Sequence, residues 1–146
     1  MTLFSPYRME TDPGYWWFQA HKYRKAVAQM INCNGDKDII VLLSVDALER
    51  AIKAVLAEKK LIDDECDTHS LIFLTKEKSS LYDEFNETQK SLILNCTRLH
   101  SDSSYPPKAK EYSLWYDEDT FVMIVKGCAD AVSELEGQYR GQRGTE

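Results

Sequence analysis

Apolar positions along this chain recur every three to four residues in four long stretches, and nowhere do they alternate as in a half-buried strand. The first stretch sets Trp17, Ala20, Tyr23, Val27 and Ile31 on one helical face. Asp12-Pro13 opens it, with aspartate as N-cap and proline at the first helical position, where its missing N–H costs nothing. Asn32-Cys33-Asn34-Gly35-Asp36 closes it, so the spacing predicts a helix over 13–32. A second helix, over 38–61, aligns Ile40, Leu43, Ala47, Leu48, Ala51, Ile52 and Val55 and leaves Glu49, Arg50, Lys53 and Glu58 opposite. Glu49 and Lys53 then read as a solvated or intersubunit i,i+4 ion pair. A short third helix over 69–78 is capped by Thr68 and turns Leu71 and Leu74 inward. After a polar break, a fourth helix over 80–99 buries Leu81, Phe85, Thr88, Leu92 and Cys96 or Leu99. A fifth, over 117–138, carries Phe121, Ile124, Val125, Cys128, Val132 and Leu135.

Between the last two, Ser101 to Tyr116 reads as a loop, because a Pro106-Pro107 pair does not survive in a helix. The expected architecture is all-α: an up-and-down bundle of four to five helices over 12–138, with a long loop before the last helix. Residues 1–11 are expected to form a flexible arm and residues 139–146, after Gly137, a frayed tail. The Trp16-Trp17 pair covers two helix faces, one expected in the core and the other at an interface.

Composition narrows the function more than the fold. A chain of 146 residues buries roughly two-thirds of its unfolded surface and needs no metal or disulfide to hold a core. Its net charge of -6, from 18 basic and 24 acidic residues, excludes broad electrostatic attraction to nucleic acid and leaves room for a local basic patch. Cysteines at 33, 66, 96 and 128 and histidines at 21, 69 and 100 lack the paired short spacing of a zinc site, so no metal and no cofactor is expected. The thiols read as reduced, small apolar residues. No segment has the length of a signal peptide or a membrane span, and a cytoplasmic protein is expected.

One stretch combines cations with aromatics. Arg98, His100, Lys108 and Lys110 fall within thirteen residues, interleaved with Tyr105, Tyr112, Trp115 and Tyr116. Guanidinium and ammonium groups suit phosphate, and aromatic rings suit base stacking, so Arg98, His100, Tyr105, Lys108 and Lys110 form the candidate ligand site. Against this, Arg98 and His100 can simply complement the carbonyl end of the fourth helix, and the aromatics can pin the loop to the bundle. Asp46, close to the apolar face of the second helix, needs a partner if buried and is a candidate to face the cations near Arg98. His69, at the start of the third helix, reads first as satisfying local backbone groups.

Several segments together resemble one family. Ala47-Leu48-Glu49-Arg50-Ala51-Ile52-Lys53-Ala54-Val55-Leu56 is similar to the A-x-E-x-A-x-K-A-x-L core of HEPN domains. Thr68-His69-Ser70-Leu71, followed by Leu74, resembles their H-D-L-x-x-L, and Ser104-Tyr105-Pro106 resembles their R-Y-P with serine in place of arginine. Tyr15-Trp16 with Ala20, Tyr23 and Ala26 is similar to their first helix, so the resemblance spans roughly residues 14–137. It implies a four- or five-helix bundle that pairs as a homodimer and a link to nucleotides or RNA. It also implies a partner such as a minimal nucleotidyltransferase, or a place in a toxin–antitoxin pair. Active nucleases of the family cut RNA without metal, using an arginine and a histidine four to six residues apart. Arg98-Leu99-His100 sets the two only one residue apart, and the span from Arg98 that fits ends in Tyr105. Three readings stand: a nucleotide- or RNA-associated binding module, a metal-independent ribonuclease with Arg98 and His100 as its catalytic residues, and a helix-face interaction module without a ligand site.

Overall fold

A computed structural model of the chain describes residues 9–103 and 118–141, with the backbone alone for 98–103. All regular structure among the described residues is helical: α1 (Pro13–Asn32), α2 (Lys37–Glu58), a 3₁₀ turn (Asp64–Cys66), a π turn (Phe73–Glu77), α3 (Leu81–Glu84), α4 (Glu87–Ser103) and α5 (Glu118–Tyr139). The result is the expected all-α bundle.

Helix α2 is its axis. From Ala51 to Glu58 every residue is buried, so this segment is covered on all sides rather than along one stripe. Helix α1 packs along it on one side and α5 on another, with α4 closing over α5. Trp17, Ala20, Leu48, Ile52, Leu56, Leu71, Leu74, Leu81, Ile93, Ile124, Val132 and Leu135 fill the centre. Both tryptophans belong to it, contrary to the expectation of one at an interface: Trp16 donates its indole N–H to the Glu10 carbonyl at 2.7 Å, and Trp17 donates to buried Glu58 at 2.9 Å.

The helix ends are local chemistry. Asp12 is the N-cap of α1 in extended backbone, with Pro13 after it. Asp36 caps α2 by accepting the Asp38 N–H. Helices α1 and α2 stop the same way. Gly35 N–H bonds to Met30 O and Asn34 N–H to Ile31 O; Leu61 N–H bonds to Leu56 O and Lys60 N–H to Ala57 O. These are paired Schellman bonds around a left-handed residue, Asn34 at φ 56° and Lys60 at φ 61°. Asparagine-glycine announces such a stop and lysine does not, so the end expected at 61 overran the observed end at Glu58.

The middle of the chain departs most from expectation. Thr68 Oγ1 accepts the Ser70 N–H, but Ser70 Oγ accepts the Phe73 N–H, so the third segment starts at Leu71, and it loosens into a π turn closed by Lys78 N–H to Phe73 O. The continuous helix expected over 80–99 is broken. Phe85 is extended, and Asn86 and Gln89 cap one another, Asn86 Oδ1 accepting Gln89 N–H at 2.8 Å and Gln89 Oε1 accepting Asn86 N–H at 3.1 Å. This restart turns Thr88 outward and Ile93 inward. Helix α4 then continues through Ser103, into the stretch expected as loop.

The ends are tied down further than their composition suggests. Met9 is buried and its N–H reaches Asp64 Oδ1 at 3.1 Å. At the other end α5 runs through Gly137, and Tyr139 is buried with its hydroxyl donating to Glu84 at 2.5 Å.

Candidate functional site

Of the residues expected to form the ligand site, Tyr105, Lys108 and Lys110 lie outside the described residues. Arg98 and His100 lie within α4, short of its end at Ser103, and their side chains are likewise outside the description. Positions two apart are about 200° apart around a helix axis, so the backbone sets 98 and 100 on different sides of α4. Asp46 belongs to a charged cluster built on α2.

That cluster occupies the segment whose spacing had suggested a solvated pair. Glu49 and Lys53 are both buried, with Lys53 Nζ 2.9 Å from Glu49 Oε2. The pair is intramolecular and sealed by α1: the Lys53 ammonium lies 5.4 Å from the Trp16 ring centroid, and the Arg50 guanidinium lies 4.2 Å over Tyr23. Glu49 also meets His69 Nδ1 at 2.9 Å, although His69 is itself 64% exposed. Arg50 donates to the Asp46 carbonyl at 3.1 Å and stands 3.9 Å from its carboxylate. Burial pushes the Glu49 carboxyl up, but the charge and hydrogen bond of Lys53, with those of His69, outweigh it and hold the group below its ordinary range.

Asp46, Glu49 and His69 bring three potential metal-ligand atoms within 4.8 Å of one another. The two carboxylates are already compensated by Lys53 and Arg50. A divalent cation would stand beside two fixed positive charges, so these residues do not fit a metal centre. The cluster instead clamps the π-turn region to α2 through His69 and α1 to α2 through Tyr23 and Trp16.

A second feature is concave. A groove of about 810 Å³ runs between α1 and α5 over α2. Its apolar surface comes from Val27, Ala28 and Ile31 of α1, Ala47 of α2, and Phe121, Val122 and Val125 of α5. Ile31 and Val122, each placed on a core stripe or beside one, are about half exposed in the groove wall. Cationic groups stand along the groove: Arg24 and Lys25 on α1, Lys126 on α5, with His21 further along. His21 meets Glu136 at 2.6 Å and Lys126 meets Asp130 at 2.7 Å, while Arg24 donates to the neutral Ser133 hydroxyl at 2.7 Å. Among the described residues Lys25 has no ion pair. Glu118 is the carboxylate in the lining, and Lys37 forms an ion pair with it.

An apolar floor with unneutralised cations at one side suits a ligand with a flat apolar part and an anionic part. Sequence reasoning missed this groove because its residues come from three helices. The available signal was weak: Arg24 and Lys25 on the polar side of α1, next to a stripe ending in Ile31.

Compared with known families, residues 14–136 match the family model of the HEPN domain. No curated protein and no solved structure matches the chain.

Proposed function

The chain belongs to the HEPN domain family, which associates with nucleotides and RNA, and from that premise we propose that it is a binding module whose nucleotide ligand lies in the groove between α1 and α5. The observation that carries this is the pairing of an apolar floor with the cations Arg24 and Lys25 in a chain whose net charge is -6. A base stacks on Phe121 and the aliphatic floor, and its phosphate meets Arg24 and Lys25. The groove volume, about 810 Å³, suits one or two nucleotides rather than a duplex.

The module acts as a homodimer in this reading. Leu94 on α4 and Met123 on α5 are about half exposed on neighbouring helices, which supports pairing along these faces. A minimal nucleotidyltransferase or an antitoxin is the partner that family membership suggests. The ribonuclease reading through Arg98 and His100 has its own test: RNA that survives incubation with the protein in the presence of a chelator excludes it.

Titration with mononucleotides and short single-stranded RNA at low salt tests the binding reading, since phosphate contacts are strongest there. The double variant Arg24→Glu, Lys25→Glu changes surface groups and is expected to weaken binding by at least about tenfold, equivalent to about 1.4 kcal/mol. No binding by the wild-type protein, or wild-type affinity in the double variant, overturns the assignment of the groove.

A further inference from the structure

We propose that Cys96 and Cys128 are a peroxide-sensitive dithiol whose oxidation to a disulfide locks α4 onto α5. The two Sγ atoms lie 3.6 Å apart, on different helices and 32 positions apart in the chain. Both side chains are fully buried. A disulfide has its sulfurs about 2.05 Å apart, so bond formation asks for a closure of roughly 1.5 Å, within reach of two side-chain rotations.

The helices are already close at this place. A Cβ on Gly127 would lie 3.0 Å from Leu92 Cδ1, tighter than ordinary contact. Leu92 stands one turn before Cys96 on α4, and Gly127 precedes Cys128 on α5. Leu92 thus packs directly over the bare backbone at 127, one turn from the two sulfurs. The other thiols stand on different elements, Cys33 exposed after α1 and Cys66 buried in the 3₁₀ turn. Cys128 also borders the α1–α5 groove. Its buried sulfur meets hydrogen peroxide only when the wall of that groove opens briefly, an opening too small to admit a bulky disulfide reagent.

The chemistry balances with peroxide as the named oxidant. The Cys128 sulfur, giving up its proton, attacks one peroxide oxygen. The O–O bond breaks, and the departing hydroxide takes that proton and leaves as water, with a sulfenic acid left on Cys128. The Cys96 sulfur attacks the Cys128 sulfur, the S–O bond breaks, and the hydroxyl leaves as a second water with the Cys96 proton. Two thiols are oxidised by two electrons and one peroxide is reduced to two waters. Its hydrogen bond with Cys96, together with complete burial, holds the Cys128 thiol well above its ordinary range, so without oxidant the pair rests as thiols. The product staples the C-terminal half of α4, which carries Arg98, to the wall of the groove.

The test uses the full chain carrying Cys33→Ser, which removes the exposed thiol. The folded protein is treated with hydrogen peroxide, alkylated, and analysed by intact mass and peptide mapping, before and after reduction. The expected result is a loss of two hydrogens, a peptide joining Cys96 to Cys128, and full reversal by reductant. Closing a loop of this length raises the melting temperature by roughly 10 °C. Three free thiols surviving peroxide, a bridge through Cys66, or a Cys96–Cys128 bridge that forms only in denaturant each overturns the proposal. Adding Cys96→Ser must abolish the bridge, and the mapping in the Cys33→Ser protein decides the matter if that variant fails to fold.

Discussion

Replacing Lys53 by methionine keeps the length and most of the volume of the side chain and deletes one charge from a buried pair. In the native protein Lys53 Nζ is 2.9 Å from Glu49 Oε2, and the two residues are 5% and 1% exposed. At an effective dielectric constant of 20 their attraction is roughly 6 kcal/mol, set against a desolvation penalty of several kcal/mol for each ion. The intact pair therefore adds little net stability, but the variant leaves the Glu49 carboxylate without its closest cation. Breaking such a pair costs about 3–5 kcal/mol. His69 at 2.9 Å and Arg50 at 3.8 Å remain beside Glu49, which places Lys53→Met near the lower end, about 3 kcal/mol. For a chain of this size that lowers the melting temperature by about 10 °C. Urea unfolding followed by the fluorescence of buried Trp16 and Trp17 measures it.

The pH dependence has a definite sign. In the native protein Glu49 titrates below its ordinary value of 4.5, so the stabilisation from its ionised form is present above that value and is lost as pH falls through the folded one. Without Lys53 the burial of the carboxyl is no longer outweighed and its folded value moves up. Acid then relieves the variant by protonating Glu49 while it weakens the wild type. The difference between the two shrinks as pH falls from 7 towards 4. The double variant Glu49→Leu, Lys53→Met removes both charges and is expected within about 1 kcal/mol of wild type. A Lys53→Met protein within about 1 kcal/mol of wild type at pH 7, or a difference that widens in acid, refutes the account of the cluster.

Tyr139→Phe removes the hydrogen bond to Glu84 and keeps the buried ring, so it is expected to cost about 1 kcal/mol, or roughly 3 °C in a thermal melt. Burial, then the Glu84 carboxylate, raise the Tyr139 phenol above its ordinary range; its stabilisation is full below about pH 10 and is lost as pH rises beyond it, a loss that the phenylalanine variant lacks. Lys60→Gly relieves a left-handed lysine at φ 61° and is expected to stabilise the protein by about 0.5–1 kcal/mol, read as a higher urea midpoint; a lower midpoint shows that the Lys60 side chain contributes more than its backbone costs.

Much of the fold was legible because helical burial has a period. The stripes of α1, α2 and α5 locate their helices within a few residues, since most inward positions are apolar and recur with the helical period. Asn34-Gly35 signals a left-handed stop; Lys60 adopts the same backbone without any sequence signal. The break at Phe85-Asn86 left a trace that was not read, because Asn86 and Gln89 have the spacing of a reciprocal cap. Glu49 and Lys53 were misplaced because an i,i+4 pair of charges has the same pattern on a solvated face and in a sealed interior. The near absence of other charge from Ala51 to Ala57 was the clue that this stretch is covered all round.

The candidate site divides differently. The cations and rings between Arg98 and Tyr116 stand out in one dimension, and the family motif in Ala47–Leu56 carried the assignment that the match over residues 14–136 established. Amino-acid order by itself therefore determined the helices, the class of fold and the family, because local propensity, period and short motifs are properties of neighbours along the chain. Tertiary structure alone decided that Glu49 and Lys53 are buried together, that His69 joins them, that Cys96 meets Cys128, and that Arg24 and Lys25 flank a groove walled by α5. Glu49 and Lys53 are neighbours on α2 whose burial depends on α1 packing over that face, and the other three join residues far apart in the chain, which meet only through the way the helices pack around α2.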